Sequence, residues 1–385
     1  MRGQLSFADW IISRNISEDD PLRKIFSSVD FSFIKTLLPQ ASVGREGFDP
    51  VSLFKALLLI PLGEARSQRE LARKLRFDGR LCYLCGFTYG RTPSHNTFTV
   101  FRKRVGERKF KEILEHLISQ ALTLKEKNNT STVIDSTSIN AYSTYDKDAR
   151  WGVKPDGKEI KFFFGYKLHA SVVPENFPFL TSFEVSSAEA YDGKFFKKLL
   201  NATLRKTKVR EAIADAGYDS LKNISYSKRR GIQPFIGANP RNSKQLSFLS
   251  QLTVTPEGEV FCPGGRKLIY WGHEKKRHRF KFRCPLFREE GECIFQKTCW
   301  KGKYGRSFYI SEFCNLSQEM KIFRATEKFK KVYKKRQAVE RFFSLLKEKF
   351  SLERKLKVKG KENVRIYVYI VLSAYVASLF AQRFG

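Results

Sequence analysis

The spacing of apolar positions changes character once along the chain. Up to about residue 125 the period is helical. Residues 50–61 form a nearly continuous apolar run behind Asp49-Pro50, an N-cap and first-turn pair. Ser67-Gln-Arg-Glu70 is a capping box ahead of Leu71 and Leu75. Thr92-Pro93 opens a helix over 94–104, and 110–124 places Ile113, Leu114, Leu117, Ile118 and Leu122 at helical spacing. Short capped helices with basic ends fit a helix-turn-helix, and they fit a small helical bundle equally.

From about residue 130 the pattern turns to β-branched and aromatic runs. Strands are expected over 132–139, 162–173 and 179–185, followed by a helix over 192–205 that carries Phe195, Phe196, Leu199 and Leu200. Residues 211–218 read as a buried strand ending in a turn, 220–230 as a basic helix, and 233–237 as a further strand. Two helices, 326–350 and 363–384, close the pattern. Between 238 and 323 Gly and Pro punctuation, scattered aromatics and cysteines point to an inserted β-rich element. The expected fold is α/β, in four segments: a helical domain over 1–125, a mixed-sheet core over 126–237, the insertion over 238–323, and the rest of the core over 324–385. No repeat of 20 to 50 residues is visible.

The most apolar segment, 366–381, has sixteen residues without a formal charge, just short of the ~17 to 25 a bilayer span needs. It also carries three tyrosines and two serines, and a buried core helix is the expectation. The N-terminal residues lack an apolar stretch followed by a small-residue cleavage site, so no signal peptide is expected.

Charge narrows the function classes. The 72 Lys and Arg stand against 39 Asp and Glu, a net +33 over 385 residues, which favours a polyanionic partner over a small-molecule substrate. With 42% hydrophobic residues and 35 Phe, the chain is no disordered basic tail. Bulk charge alone does not separate DNA, RNA and an anionic membrane. Seven cysteines are too few and too scattered for a secreted disulfide framework, and a reducing cytoplasm fits. Four of them, Cys262, Cys284, Cys293 and Cys299, share one segment. They read as a structural zinc site, with His273 and His278 as reserve ligands, or as free buried thiols, since no Cys-x2-Cys pair occurs among them. Cys82 and Cys85 do have that spacing, in a helical context where core packing is expected. His169 reads as a strand residue near the active site, not a metal ligand.

Three acids stand apart from the many that sit among lysines and arginines. Asp135 ends the apolar run Val133-Ile134 with no basic neighbour, and Asp215 lies among small apolar residues at a strand end. A carboxylate in such a setting needs a partner, either a metal cation or a backbone cap. Glu340 shares one helical stripe with Tyr333, Arg336 and Lys347, at offsets of 0, 3, 7 and 14 from the tyrosine. A stripe of surface ion pairs is the plain alternative. Yet residues 321–360 hold fifteen Lys and Arg against four Asp and Glu, a run that repels itself without a polyanion. Two strand aspartates and a helix glutamate suit a pair of Mg²⁺ or Mn²⁺ ions ~3.5 to 4 Å apart, acting on a phosphodiester.

At these residues the chain resembles bacterial insertion-sequence transposases of the DDE type, in the group marked by a Tyr-x2-Arg-x3-Glu-x6-Lys signature. Tyr333, Arg336, Glu340 and Lys347 match its spacing. Val133-Ile-Asp135-Ser-Thr and Ala214-Asp215-Ala-Gly-Tyr-Asp219 resemble the two aspartate motifs, and Gly165-Tyr-Lys-Leu-His169 another recurring block. Arg66-Ser-Gln-Arg-Glu-Leu-Ala72 and Pro93-Ser-His-Asn-Thr97 resemble the helical domain before the core. The resemblance implies a ribonuclease H-like core with catalytic Asp135, Asp215 and Glu340 holding the two metal ions. It also implies DNA contacts by Tyr333, Arg336 and Lys347, double-stranded inverted-repeat ends and target DNA as partners, and a homodimer acting at the nucleoid. Asp219 falls past the strand end and ranks below Asp215. The competing readings are a catalytically inactive, transposase-derived DNA-binding protein and a membrane-surface protein.

Overall fold

The structure, a computed structural model, describes residues 7–38, 47–156, 159–240, 252–255, 259–287, 293, 299, 305–312, 314–353 and 357–384. Parts of the expected insertion (241–251, 256–258, 288–292, 294–298, 300–304 and 313) lie outside them, as do 1–6 of the N-terminus and 354–356 of the basic run. The chain divides into two compact units, one of 1–213 with 335–385 and one of 214–334.

The first unit begins with helices α1 (Phe7–Asn15), α2 (Pro21–Ser28), α3 (Phe33–Leu37), α4 (Pro50–Leu58), α5 (Gln68–Phe77), α6 (Gly79–Cys85) and α7 (His95–Ala121). Local chemistry sets their starts. Asp20, Asp49, Ser67, Asp78 and Ser94 each accept a first-turn backbone N–H, contacts worth about 1 kcal/mol apiece. The capping box at Ser67 reaches one residue further back than expected, because Glu70 accepts from the N–H of Arg66 at 2.9 Å. The two helices expected over 94–104 and 110–124 are the two arms of α7, parted by a non-helical Gly106 at φ 67°, ψ 169°. Only glycine adopts that backbone readily.

The sheet follows as β1 (Ser131–Asn140), β2 (Arg150–Asp156), β3 (Glu159–Val173), β4 (Phe179–Ser187) and, after α8 (Phe196–Leu204), β5 (Glu211–Ala214). β1 pairs antiparallel with β3 on one edge and neighbours β5 on the other; β2 and β4 also pair antiparallel with β3. β2 was not expected. It pairs with an N-terminal extension of β3, and its Trp151 ring packs on Phe164 across the hairpin. A hydroxyl network beneath the sheet joins Thr132 to Ser171 at 2.7 Å, Ser171 to Thr203 at 3.0 Å, and Thr203 to Thr181 at 2.9 Å. Buried polar atoms are thereby satisfied without water.

The second unit holds α9 (Leu221–Arg229), β6 (Gln233–Ile236), a β7 (Thr253–Val254) and β8 (Val260–Phe261) hairpin, and a three-stranded sheet. That sheet runs in the order β11 (Ser307–Ser311), β10 (Arg279–Arg283), β9 (Ile269–Glu274). Among the described residues, Leu252, Val260, Leu268, Phe308 and Ile310 form its buried core. Helices α10 (Cys314–Ala325) and α11 (Glu327–Tyr333) complete the unit.

The chain then returns to the first unit through α12 (Gln337–Glu348) and α13 (Lys361–Phe384). The single helix expected over 326–350 is α11 and α12, separated by a 3₁₀ turn, Lys334–Arg336. Lys335 leaves that turn to donate to Ser131 Oγ at 2.8 Å and Glu211 at 3.1 Å, a tertiary pull that local pattern does not encode. α13 is long and apolar enough to cross a bilayer, yet 83% of its most apolar window is buried against the rest of the protein, chiefly α7, α2 and α4. Its tyrosines find acceptors: Tyr367 donates to Ser351 O at 2.8 Å and Tyr375 to Pro178 O at 2.6 Å. It is a core helix.

Candidate active site

In the first unit, burial along β1 is complete from Ser131 to Ile134 and drops to half at Asp135. The strand thus delivers the Asp135 carboxylate from the core to the edge of solvent. One oxygen accepts the N–H of Ser136 at 2.8 Å. The other faces the Arg336 guanidinium, 3.8 Å from Nη1. The second terminal nitrogen of the same guanidinium holds Glu340 Oε1 at 2.6 Å. Glu340 lies in the first turn of α12, where a carboxylate is favoured by the helix dipole. Two acids 205 positions apart in the sequence are therefore drawn to one cation. The pair with Glu340 is one of the stripe ion pairs that the sequence offers beside DNA contact; the approach to Asp135 is not legible there. Lys347, two turns along α12 from Glu340, is paired with Glu353 at 3.0 Å.

His169 flanks this site. It sits on β3 opposite Ser136, fully buried, with its ring stacked on Phe195 at 3.8 Å and Nε2 within 2.8 Å of Ser186 Oγ. Burial pushes its imidazole down to about 4, against the smaller opposing pull of Asp192.

In the second unit, Asp215 follows β5 directly and caps a 3₁₀ turn, Ala216–Tyr218, by accepting the N–H of Gly217 at 2.9 Å. The strand expected over 211–218 thus ends at Ala214. Tyr333, the last residue of α11, stacks on Phe329 and brings its hydroxyl against Gly237. A Cβ at 237 would stand 2.5 Å from that oxygen and 3.2 Å from Ala216 N, so only glycine lets the phenol lie beside the Asp215 turn. Asp219 is buried. Arg324 holds it at 2.6 Å, and it accepts the N–H of Asn239 at 2.8 Å.

Cys262, Cys284, Cys293 and Cys299 of the second unit are half-buried and in no disulfide. His273 and His278 do not stand in reserve for them, because both bind the carboxylate of Glu312. Cys82 and Cys85 are buried in α6, and burial raises the Cys82 thiol to about 12.

Comparison with known families now bears on these residues. Residues 127–377 match the family described as Transposase DDE domain, and residues 11–104 match the one described as Transposase domain (DUF772). The chain belongs to the DDE transposase family. No curated protein matches it. The first match takes in the sheet, Asp135, Asp215 and Glu340; the second ends two residues before the Gly106 break in α7. A DDE transposase of an insertion sequence binds DNA, cuts it and transfers strands, and the family generally uses divalent metal ions. The mixed α/β fold with its helical N-terminal region is the fold expected of it. In this transposase the donor chemistry at the candidate site suits hard cations, because Asp135 and Glu340 offer carboxylate oxygen alone. Among the described residues, no group of three or more His, Cys, Asp or Glu side chains stands close enough to hold a metal ion. Arg336 engages Asp135 and Glu340 instead.

Proposed function

We propose that Asp135, Asp215 and Glu340 are the catalytic acids with which this transposase cleaves DNA at the ends of its element and joins those ends to target DNA. What supports the reading is the convergence of Asp135 and Glu340 on the single guanidinium of Arg336. Two carboxylates gathered at one point repel each other unless a cation neutralises them. Two ions of the Mg²⁺ or Mn²⁺ type, bound by the three acids, would supply the charge that makes water or a 3′-hydroxyl nucleophilic and stabilises the leaving oxygen.

The remaining roles fall to the chain's own side chains. Arg336 holds the two carboxylates in one orientation; on DNA binding it transfers to a phosphate, for which its planar fork is suited. Lys347 exchanges Glu353 for a phosphate in the same way. Tyr333 contacts the transposon end beside the Asp215 turn. Residues 1–125 bind DNA or dimerise, 238–323 are an insertion into the catalytic core, and a homodimer brings two ends together.

The test is cleavage of a labelled inverted-repeat end with Mg²⁺ or Mn²⁺. Wild type nicks at the end; Asp135→Ala and Glu340→Ala lose at least about 10³-fold while still binding the end. Cleavage by Asp135→Ala at the wild-type rate overturns the assignment. Metal-independent binding without cleavage by the wild type returns the chain to a DNA-binding role.

A further inference from the structure

We infer that the outer face of the β2–β3 hairpin is the surface through which two copies of this chain pair. Residues directly opposite in an antiparallel hairpin share a face, and neighbours along a strand alternate. Trp151 stands opposite Phe164 and Val153 opposite Phe162, so these four lie on one face, joined by Ile160 two residues before Phe162. Gly152 and Phe163 lie on the other. That inner face is already covered: a Cβ on Gly152 would stand 2.7 Å from the Ala188 Cβ and 2.8 Å from the Ala188 carbonyl oxygen. The outer face is open. Trp151 is 64% exposed, Val153 51%, Ile160 62% and Phe162 69%, while Phe164 packs on the Trp151 ring at 5.5 Å. Single apolar residues on a surface need no partner, but four large ones gathered on one short hairpin mark an interaction site.

Charge decides what covers them. Trp151, Val153, Ile160, Phe162 and Phe164 carry none. Arg150, the cation next to Trp151, alternates to the other face and donates to the carbonyls of Lys147 and Ala149 at 2.7 and 2.8 Å. DNA is gripped by cations at its phosphates, so this face offers it little to hold. A second copy is a different case. At net +33 two chains repel over most of their surface, and a two-fold contact sets a patch against itself. A charge-free face meets its own copy without bringing cation against cation. The exposed Phe7 and Trp10 of α1 do not meet that condition, because the Arg14 guanidinium lies over the Trp10 ring at 4.1 Å.

The size is also sufficient. At their fractional exposures the four open side chains present about 500 Å² of surface. Paired across a two-fold axis they bury about 1,000 Å² before any neighbouring residue is counted, the extent at which a specific interface begins. The inference rests on the homodimer of the proposed function and gives it a surface.

The test is the mass of the full-length protein by sedimentation, free of DNA and metal, in about 0.5 M salt to screen the net charge. Wild type and Phe7→Glu are expected to sediment as dimers. Phe162→Glu, which sets a charge on each side of the contact, is expected to weaken association at least about 100-fold, and Trp151→Ala at least about 10-fold. Both positions are exposed, so neither variant loses core packing, and circular dichroism like that of wild type checks the fold. A monomeric wild type overturns the proposal. So does a dimer that Phe162→Glu leaves intact, including the case in which that variant instead loses affinity for DNA or for anionic vesicles. A wild-type dimer that fails to cleave sinks the catalytic reading alone, and a monomer that cleaves sinks this one alone.

Discussion

A buried neutral imidazole ties stability to pH at His169. Its folded pKa is about 4, against about 6.5 when unfolded. Above 6.5 neither state takes up a proton there and the stability is complete. Between 6.5 and 4 the unfolded chain binds a proton that the folded chain refuses, so stability falls as pH drops through this window. The loss is on the order of 3 kcal/mol by pH 4. Urea midpoints of wild type are expected to fall from pH 7 to 4.5, and His169→Gln to flatten that dependence; parallel slopes in the two proteins would contradict it. The same scale shows what sequence could and could not reveal at the site. Asp135 and Asp215 stand out in the sequence because each breaks an apolar run without a cation beside it. The bridge at Arg336 was legible by half: its pair with Glu340, four residues on, belongs to the ion-pair stripe the sequence offers, but Asp135, two hundred residues back, is brought to it by the fold.

Elements were legible where their ends carry chemistry. Asp49-Pro50 and Ser67-Gln-Arg-Glu70 cap α4 and α5 as read. Boundaries failed where a distant contact decides them. Gly106 parts the two arms of α7 between the spans expected over 94–104 and 110–124, whereas Lys335, held by Ser131 and Glu211, ends the helix expected over 326–350 early. β2 escaped notice because Gly152 and Pro155 interrupt its short run, and pairing with β3 supplies what propensity lacks. The Gly106 break gives a direct check. A Cβ there meets no atom within 4 Å, so Gly106→Ala costs only backbone strain, about 1–3 kcal/mol. Gly47→Ala, equally open but at an ordinary φ, is expected to leave the melting temperature unchanged or slightly raised. Equal melting temperatures for the two variants would mean that α7 carries no such strain.

At the scale of the whole molecule, a net +33 sets how the transposase meets DNA. Each phosphate neutralised releases counterions, so six contacts give a slope of log K against log salt near about −5. Fluorescence anisotropy on an end duplex from 50 to 300 mM salt measures it, and a slope shallower than about −2 would exclude a broad basic footprint. The order of elements, helices first, then strands, then closing helices, was legible from the change of hydrophobic period. The grouping into compact units was not, because it depends on which distant segments pack, and α13 packs on helices more than two hundred residues earlier. That last feature governs biosynthesis. Residues 361–384 leave the ribosome after everything they bury against, so the nascent chain holds an apolar groove along α7 open until they arrive. Folding of the helical region is thereby coupled to synthesis of a helix more than two hundred residues later. A product stopped at residue 360 is expected in the pellet after lysis, because the apolar face of α7 that α13 covers is then left exposed.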